Sequence, residues 1–432
     1  MTDIMKKTLG ILMTTGMLLS LCGCDLADPI NNNNNGTGKE RVEVCNLVLT
    51  AAEDSVSDAS NDFAFRFMKA FDSTNPDNGN YVVSPYSAQV ALAMALNGAA
   101  GSTFNQMRDV LGYGGMDIED INSYNKKLIE GLGNVASDVD IDFANSLWLN
   151  DWYSYSILDQ YRYNLVDSYF AEVGALDFSS DDAVKHINRW CSSKTNSLID
   201  NMVDELDPVF DLAVLLNALY FKACWATEFE KKNNFKGNFL ANGNSKQKVQ
   251  YMKCKKRTGY HKNDKYEVSY LDFSGSGMFR FYVLLPADGV TTDECFDEFA
   301  AMSRSGFAIG SCLVTFSIPK FSVKKNCDLE PALVSMGMSE PFGEYADFSN
   351  IVSERFAETL HITDVAQGNV FKINEKGVEA SSVTKVELGL ISSTGIAPKE
   401  VDFVVNRPFL FIVTEHHTNT VLYAGKVSSI EQ

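Results

Sequence analysis

The sequence predicts one mixed α+β domain, with helices weighted toward its N-terminal half and strands toward its C-terminal half. Three observations lead there. Apolar residues recur at helical spacing early in the chain. Runs of β-branched and aromatic residues dominate later. After residue 56, no low-complexity stretch or internal repeat divides the remaining segment, 57–432. With 432 residues and 45% hydrophobic content, the chain can bury a large core, and a single unit of about 370 residues is larger than most domains.

In chain order, Lys6 and Lys7 precede an apolar run from Leu9 to Leu21, which is short for a bilayer-spanning helix and fits an export signal. The run ends in Leu21-Cys22-Gly23-Cys24, a tetrapeptide that resembles the lipobox of bacterial lipoproteins. Residues 1–24 are therefore expected to be a lipoprotein signal peptide. The resemblance implies that Cys24 is acylated and anchors an exported protein to the membrane, at the cell surface or in the periplasm. Cys22 stands where that motif more often has a small residue, and a plain secretory signal is the alternative. Residues 25–56 contain the run Asn31 to Asn35 followed by Gly-Thr-Gly, and too little apolar surface to fold, which predicts a flexible tether.

Beyond the tether, Phe63, Phe67 and Phe71 recur four apart. Ser84-Pro85 stands ahead of the apolar run Val90 to Leu96, with proline suited to a first helical turn. Val110 and Leu111, then Leu128 and Leu132, predict further helices. The strand-like runs are Ala213 to Leu216, Phe281 to Leu285, Leu313 to Ile318 and Phe409 to Val413. Runs apolar at every position predict strands covered on both faces, and Glu415 to Thr420 predicts the turn of a C-terminal hairpin.

The net charge of −19 repels phosphates and anionic headgroups, which argues against nucleic acid as a partner and against a polybasic membrane patch. Beyond the signal, Cys45, Cys191, Cys224, Cys254, Cys295, Cys312 and Cys327 show no C-x-x-C spacing. They predict neither a zinc site nor a disulfide framework, and most are expected as buried small hydrophobes, although export could oxidise one or two pairs. His186, His261, His361, His416 and His417 lack ligand spacing, and no G-x-S-x-G, H-E-x-x-H or Gly-rich phosphate loop occurs. Neither a metal, a cofactor nor an enzymatic activity is expected.

Six blocks carry a resemblance: N-Y-V-V-S-P-Y-S at 80–87 with Ala91 to Met94, Leu216 to Lys222 with Trp225 and Phe229, Phe316 to Phe321, Met336 to Met338 with Asp347-Phe348-Ser349, Asn374 to Ala380, and Asn406 to Phe411. In this order, and spanning about Ser57 to Val427, they resemble the serpin family of serine protease inhibitors. The resemblance implies a serpin fold, with helices around three β-sheets and an exposed reactive-centre loop.

The segment from Glu375 to about Lys399, where that loop falls, has its own chemistry. Val378, Ala380, Ser382, Thr384, Val386, Leu388 and Leu390 are apolar or small, and their alternating neighbours are largely polar over the first ten positions, the period of a half-buried strand. No proline falls between Pro341 and Pro398, so every N–H there is free to join a ladder. Gly377 suits a hinge, and the small side chains of Ala380, Ser381 and Ser382 would let the strand thread between two others.

The family mechanism implied is suicide inhibition by a monomer. A serine-type protease, with cysteine-type proteases as a further class, attacks the loop and forms an acyl-enzyme, and the freed arm inserts into the central sheet, carrying the covalently bound protease with it. Counting sixteen residues from the hinge residue Glu375 places the bait bond at Ile391-Ser392, with Leu390 and Thr394 as alternatives. An aliphatic bait residue implies elastase-like or subtilisin-like targets. Ser84, Ser87, Asn217 and Trp225 match the cluster that governs sheet opening, while Gln367 stands where the family usually has histidine, which removes a titrating group. A non-inhibitory serpin acting as chaperone, carrier or scaffold is the alternative, kept open by the bulk of Val378 and Val383.

Overall fold

The computed structural model describes residues 47–431 except 76–78, 134–138, 210, 243–244, 275–276, 305–308, 353–359, 364 and 379–398. Cys24, Cys45 and the expected signal peptide lie outside the described residues.

Helix α1 (Ala51–Thr74) starts inside the segment expected as tether. The reason is local. Thr50 Oγ1 accepts from the Glu53 N–H at 3.2 Å and Glu53 Oε2 accepts from the Thr50 N–H at 2.7 Å, a capping box that satisfies two end groups of the helix. Lys127 adds an ion pair to Glu53 at 2.6 Å. The carboxyl would rise on burial, but these partners hold it at about 2.

A short strand β1 (Tyr81–Val83) leads into α2 (Pro85–Leu96), which Ser84 caps through its side chain and which is buried on nearly every face. Helices α3 (Gly101–Val110) and α4 (Ile118–Gly133) precede strand β2 (Val139–Asn150). Helix α5 (Asp159–Tyr169), strand β3 (Glu172–Leu176) and helix α6 (Asp181–Lys194) follow, then strand β4 (Ala213–Cys224). The second half is mostly strand: β5 (Phe235–Leu240), β6 (Lys246–Lys262), β7 (Tyr266–Asp272), β8 (Phe279–Pro286), β9 (Ser311–Pro319) and β10 (Phe321–Asp328), with helix α7 (Phe296–Arg304) between β8 and β9. Helix α8 (Glu330–Ser335) precedes β11 (Ala366–Asn374), β12 (Gly377–Val378), β13 (Glu400–Val404), β14 (Phe409–Glu415) and β15 (Val421–Val427).

The strands assemble into two hydrogen-bonded sheets among the described residues. One runs β10-β11-β12-β4-β2-β3, the other β1-β15-β14-β8-β7-β6-β9-β13 with β5 added to β6. The expectation of three sheets resolves through β6, which pairs with β9 along Tyr251 to Gly259 and with β7 only at Tyr260 to Lys262. Two of the expected sheets thus share one long strand.

An aromatic layer joins the sheets face to face. Phe371 of β11 stacks on Phe411 of β14 with centroids 4.8 Å apart, and Phe281 and Phe321 each lie 5.6 Å from Phe411. Such rings dominate core energetics and prefer these offset geometries.

Candidate functional site

The middle of the six-stranded sheet is where the loop segment enters. Strand β4 pairs with β2 from Ala213 to Ala223, and β11 pairs with β10 from Ala366 to Ile373. On the sides that face each other, the only strand partners among the described residues belong to β12. Gly377 lies opposite Cys224 and Asn374, and Val378 lies opposite Ala223 and Ile373. Both pairings are antiparallel, so β4 and β11 run parallel to one another with a strand's width between them, about 10 Å.

The turn that delivers β12 is fixed from several directions. The Trp225 indole donates to the Asn374 carbonyl at 2.9 Å, the Trp225 amide to the Lys376 carbonyl at 2.7 Å, and the Phe229 amide to the Glu375 carbonyl at 2.9 Å. Trp225 is itself held by a stack on Phe273, centroids 4.6 Å apart. Gly377 has φ +152°, and a Cβ there would run into the Ala223 carbonyl oxygen, so no other residue fits without displacing β4.

Glu375 is buried, with its carboxylate accepting from Asn234 Nδ2 at 2.7 Å and paired with Lys320 Nζ at 2.5 Å. Burial alone would raise its carboxyl, but hydrogen bonds from Lys320, the backbone and Asn234 hold it below the ordinary carboxylate value.

Beneath the sheet, the cluster inferred from the sequence becomes a chain of hydrogen bonds from β11 to β2. Asn369 Nδ2 donates to Gln367 Oε1 at 2.8 Å. Gln367 grips the backbone of Ser84 twice, accepting from its N–H at 2.7 Å and donating to its carbonyl at 3.0 Å. The Ser84 hydroxyl caps α2 by accepting from the Ser87 N–H, the Ser87 hydroxyl donates to Asn217 Oδ1, and Asn217 donates to Asn145 Oδ1 at 2.6 Å. The N-terminus of α2 therefore bridges β11 and β4 from below. Gln367 thus uses its amide as both donor and acceptor.

Ser84, Ser87, Asn217 and Gln367 are brought together, whereas Trp225 sits apart at the β12 end. Ala380, Ser381, Ser382, Thr384, Ile391 and Ser392 lie outside the described residues. Sequence reasoning missed Asn145, Asn369, Asn234 and Lys320. Its one available signal was the pair Gln367 and Asn369, two apart on a strand and so on one face.

The six described cysteines are buried. Among the described residues, no group of His, Cys, Asp or Glu is placed to hold a metal ion, and no helix is long and apolar enough to cross a membrane.

A family model described as "Serpin (serine protease inhibitor)" matches residues 58–430. Iripin-3 of Ixodes ricinus is 31% identical over 396 residues, covering 89% of this chain and 98% of its own. A serpin-like protein of Methanosarcina mazei is 26% identical and covers 96% of each. Among solved structures, the thermophilic serpin tengpin in its native state superposes with a TM-score of 0.75 at 28% identity, over 86% of this chain and 93% of its own. Human thyroxine-binding globulin, complexed with its hormone, gives 0.75 at 25%, over 88% and 100%.

Proposed function

This chain belongs to the serpin family of protease inhibitors and is not an enzyme; from that premise we propose that it traps serine-type endopeptidases by suicide inhibition, with cysteine-type proteases as a second class. The observation that carries the reading is β12. The first two residues after the hinge turn are already paired on both sides between β4 and β11.

Extending that register predicts the cleaved state. Each later loop residue falls opposite the preceding residue of β4, so Ala380 meets Phe221, Ser382 meets Leu219 and Thr384 meets Asn217, with Gln367 of β11 on the other flank. Residues in one row share a face, and Asn217 faces α2, so the small set Ala380, Ser382 and Thr384 turns inward. The hydroxyl of Thr384 then reaches the two polar groups that tie β11 and β4 to α2. Strand β4 has 12 residues, which receives Gly377 through Leu388, roughly 40 Å of strand. Cleavage at Ile391-Ser392, with an aliphatic bait residue, suits elastase-like or subtilisin-like enzymes.

The chain is further proposed to act as a monomeric bacterial lipoprotein, exported and anchored through Cys24, without nucleic-acid partners. Cys24→Ala should move it from the detergent phase to the aqueous phase on partitioning.

Incubation with elastase, subtilisin and trypsin tests the inhibitory reading on one gel. A covalent band that resists SDS with either of the first two supports it, and a thermal unfolding midpoint that rises after loop cleavage supports insertion. A loop that is only clipped, at unchanged stability, would select the second reading, a non-inhibitory serpin acting as chaperone, carrier or scaffold, with the thyroxine-bound globulin among its structural relatives favouring the carrier.

A further inference from the structure

The net charge of −19 conceals a segment of opposite sign. Residues 231–262 hold ten of the 37 lysines and arginines and none of the 56 aspartates and glutamates. This segment forms the antiparallel β5–β6 ribbon. Lys246, Lys248, Lys253, Lys255 and Arg257 are all exposed. By strand alternation, Lys253, Lys255 and Arg257 project from one face, and Lys246 and Lys248 from the other.

The ribbon and its neighbour β9 hold both ends of the reactive loop. At the N-terminal end, Asn234, at the entry to β5, and Lys320, which follows β9, share the Glu375 carboxylate. At the C-terminal end, Lys255 pairs with Glu400, the first residue of β13, at 2.8 Å. The acidic neighbours on that face, Glu400 and Asp402, belong to β13, with β9 lying between them and β6. Lys253 and Arg257 have no ion-pair partner among the described residues.

Distance then brings the target to this surface. A protease closing on Ile391-Ser392 is held within nine residues of Glu400, at most about 30 Å of extended chain. A globular domain of about 250 residues is roughly 45 Å across, so its body overhangs β6.

We propose that the basic β5–β6 ribbon, through Lys253, Lys255 and Arg257, docks an acidic face of the target protease before the bait bond is attacked. The proposal rests on the inhibitor reading above. Charge pairing of this kind acts mainly on the encounter rate and weakens as salt rises.

The test measures association rate constants of the full-length chain with two subtilisin-like proteases of matched primary specificity and opposite net charge, at low and high salt. The double variant K253E/R257E should slow capture of the acidic protease about tenfold at low salt and little at high salt, leaving the basic protease unslowed and the yield of SDS-resistant complex unchanged. The milder K253Q/R257Q should give an intermediate loss with an unaltered melting midpoint, which separates docking from misfolding. Equal slowing of both proteases, or no slowing of either, overturns the proposal. So does acceleration of the unmodified chain by heparin that the variant loses, when charge reversal alone changes nothing, because the ribbon would then serve a polyanion. If the unmodified chain forms no complex with either protease, the inhibitor reading fails first and the docking role with it.

Discussion

Strand β14 is hydrogen-bonded on both sides, to β8 and β15, and every residue from Phe409 to Glu415 is buried. Strand β4 is bonded along one side to β2, while its other side meets a described strand only at Ala223 and Cys224. Both are central, largely apolar strands, so hydrophobic content alone does not separate them. What separates them among the described residues is the second edge, which in β14 is paired along its length and in β4 is paired only with β12, the start of the segment proposed to serve as bait. An unmet strand edge is a template for another strand, and here the chain itself carries one of matching period. On the proposed reading, the stability of one sheet and the function of the other follow from the same backbone chemistry, used along the whole of β14 and, among the described residues, only at Ala223 and Cys224 on the second edge of β4.

The largest effect is expected in the completed sheet. Phe411→Ala removes a fully buried ring that packs on Phe281, Phe321 and Phe371, and should cost about 3–5 kcal/mol in denaturant unfolding while leaving complex formation per folded molecule intact. A selective loss of trapping at unchanged stability would break the comparison. Gly377→Val acts on the other sheet. Its Cβ meets the Ala223 carbonyl at a backbone angle that side chains avoid, so the expected cost is about 2 kcal/mol, read as a shift from SDS-resistant complex to clipped inhibitor.

Glu375→Gln should cost about 1–2 kcal/mol and loosen the hinge turn. Because the folded carboxyl titrates below its ordinary value, the anchoring it contributes is full at neutral pH and is lost as acid protonates it beneath the usual carboxylate range. Spontaneous inactivation of the parent chain should therefore quicken in acid, and that acid step should vanish in the variant. The smallest effect is expected for Gln367→His. It should leave stability within about 1 kcal/mol at pH 7.5 but introduce a pH dependence near 6.5, since a protonated ring cannot accept from the Ser84 N–H. A flat inactivation rate from pH 5.5 to 7.5 in that variant would dissociate the polar chain from sheet opening.

Much of this was legible in the sequence wherever the signal is local. Ser84-Pro85 announces α2, and Gly377 announces the turn into β12. The capping box at Thr50 and Glu53 was equally local, yet the polar composition around it outweighed it in the reading of the tether. Partners far apart in sequence were not legible. Nothing in Asn145 or Lys320 points to Asn217 or Glu375, because those contacts exist only once the sheets are assembled. Alternation says that residues after Gly377 can form a strand, but not that β4 and β11 flank it. The basic ribbon was hidden for a different reason, since net charge averages over a chain whose acidic residues lie elsewhere.

The thiols carry a last consequence. Burial pushes Cys191 and Cys327 up to about 12 and Cys254 and Cys295 up to about 11, so they stay protonated and unreactive at any physiological acidity. No covalent cross-link among the described residues fastens one half of the six-stranded sheet to the other. Among the described residues, the two halves of that sheet are joined by reversible contacts alone, so a reducing environment breaks no bond between them.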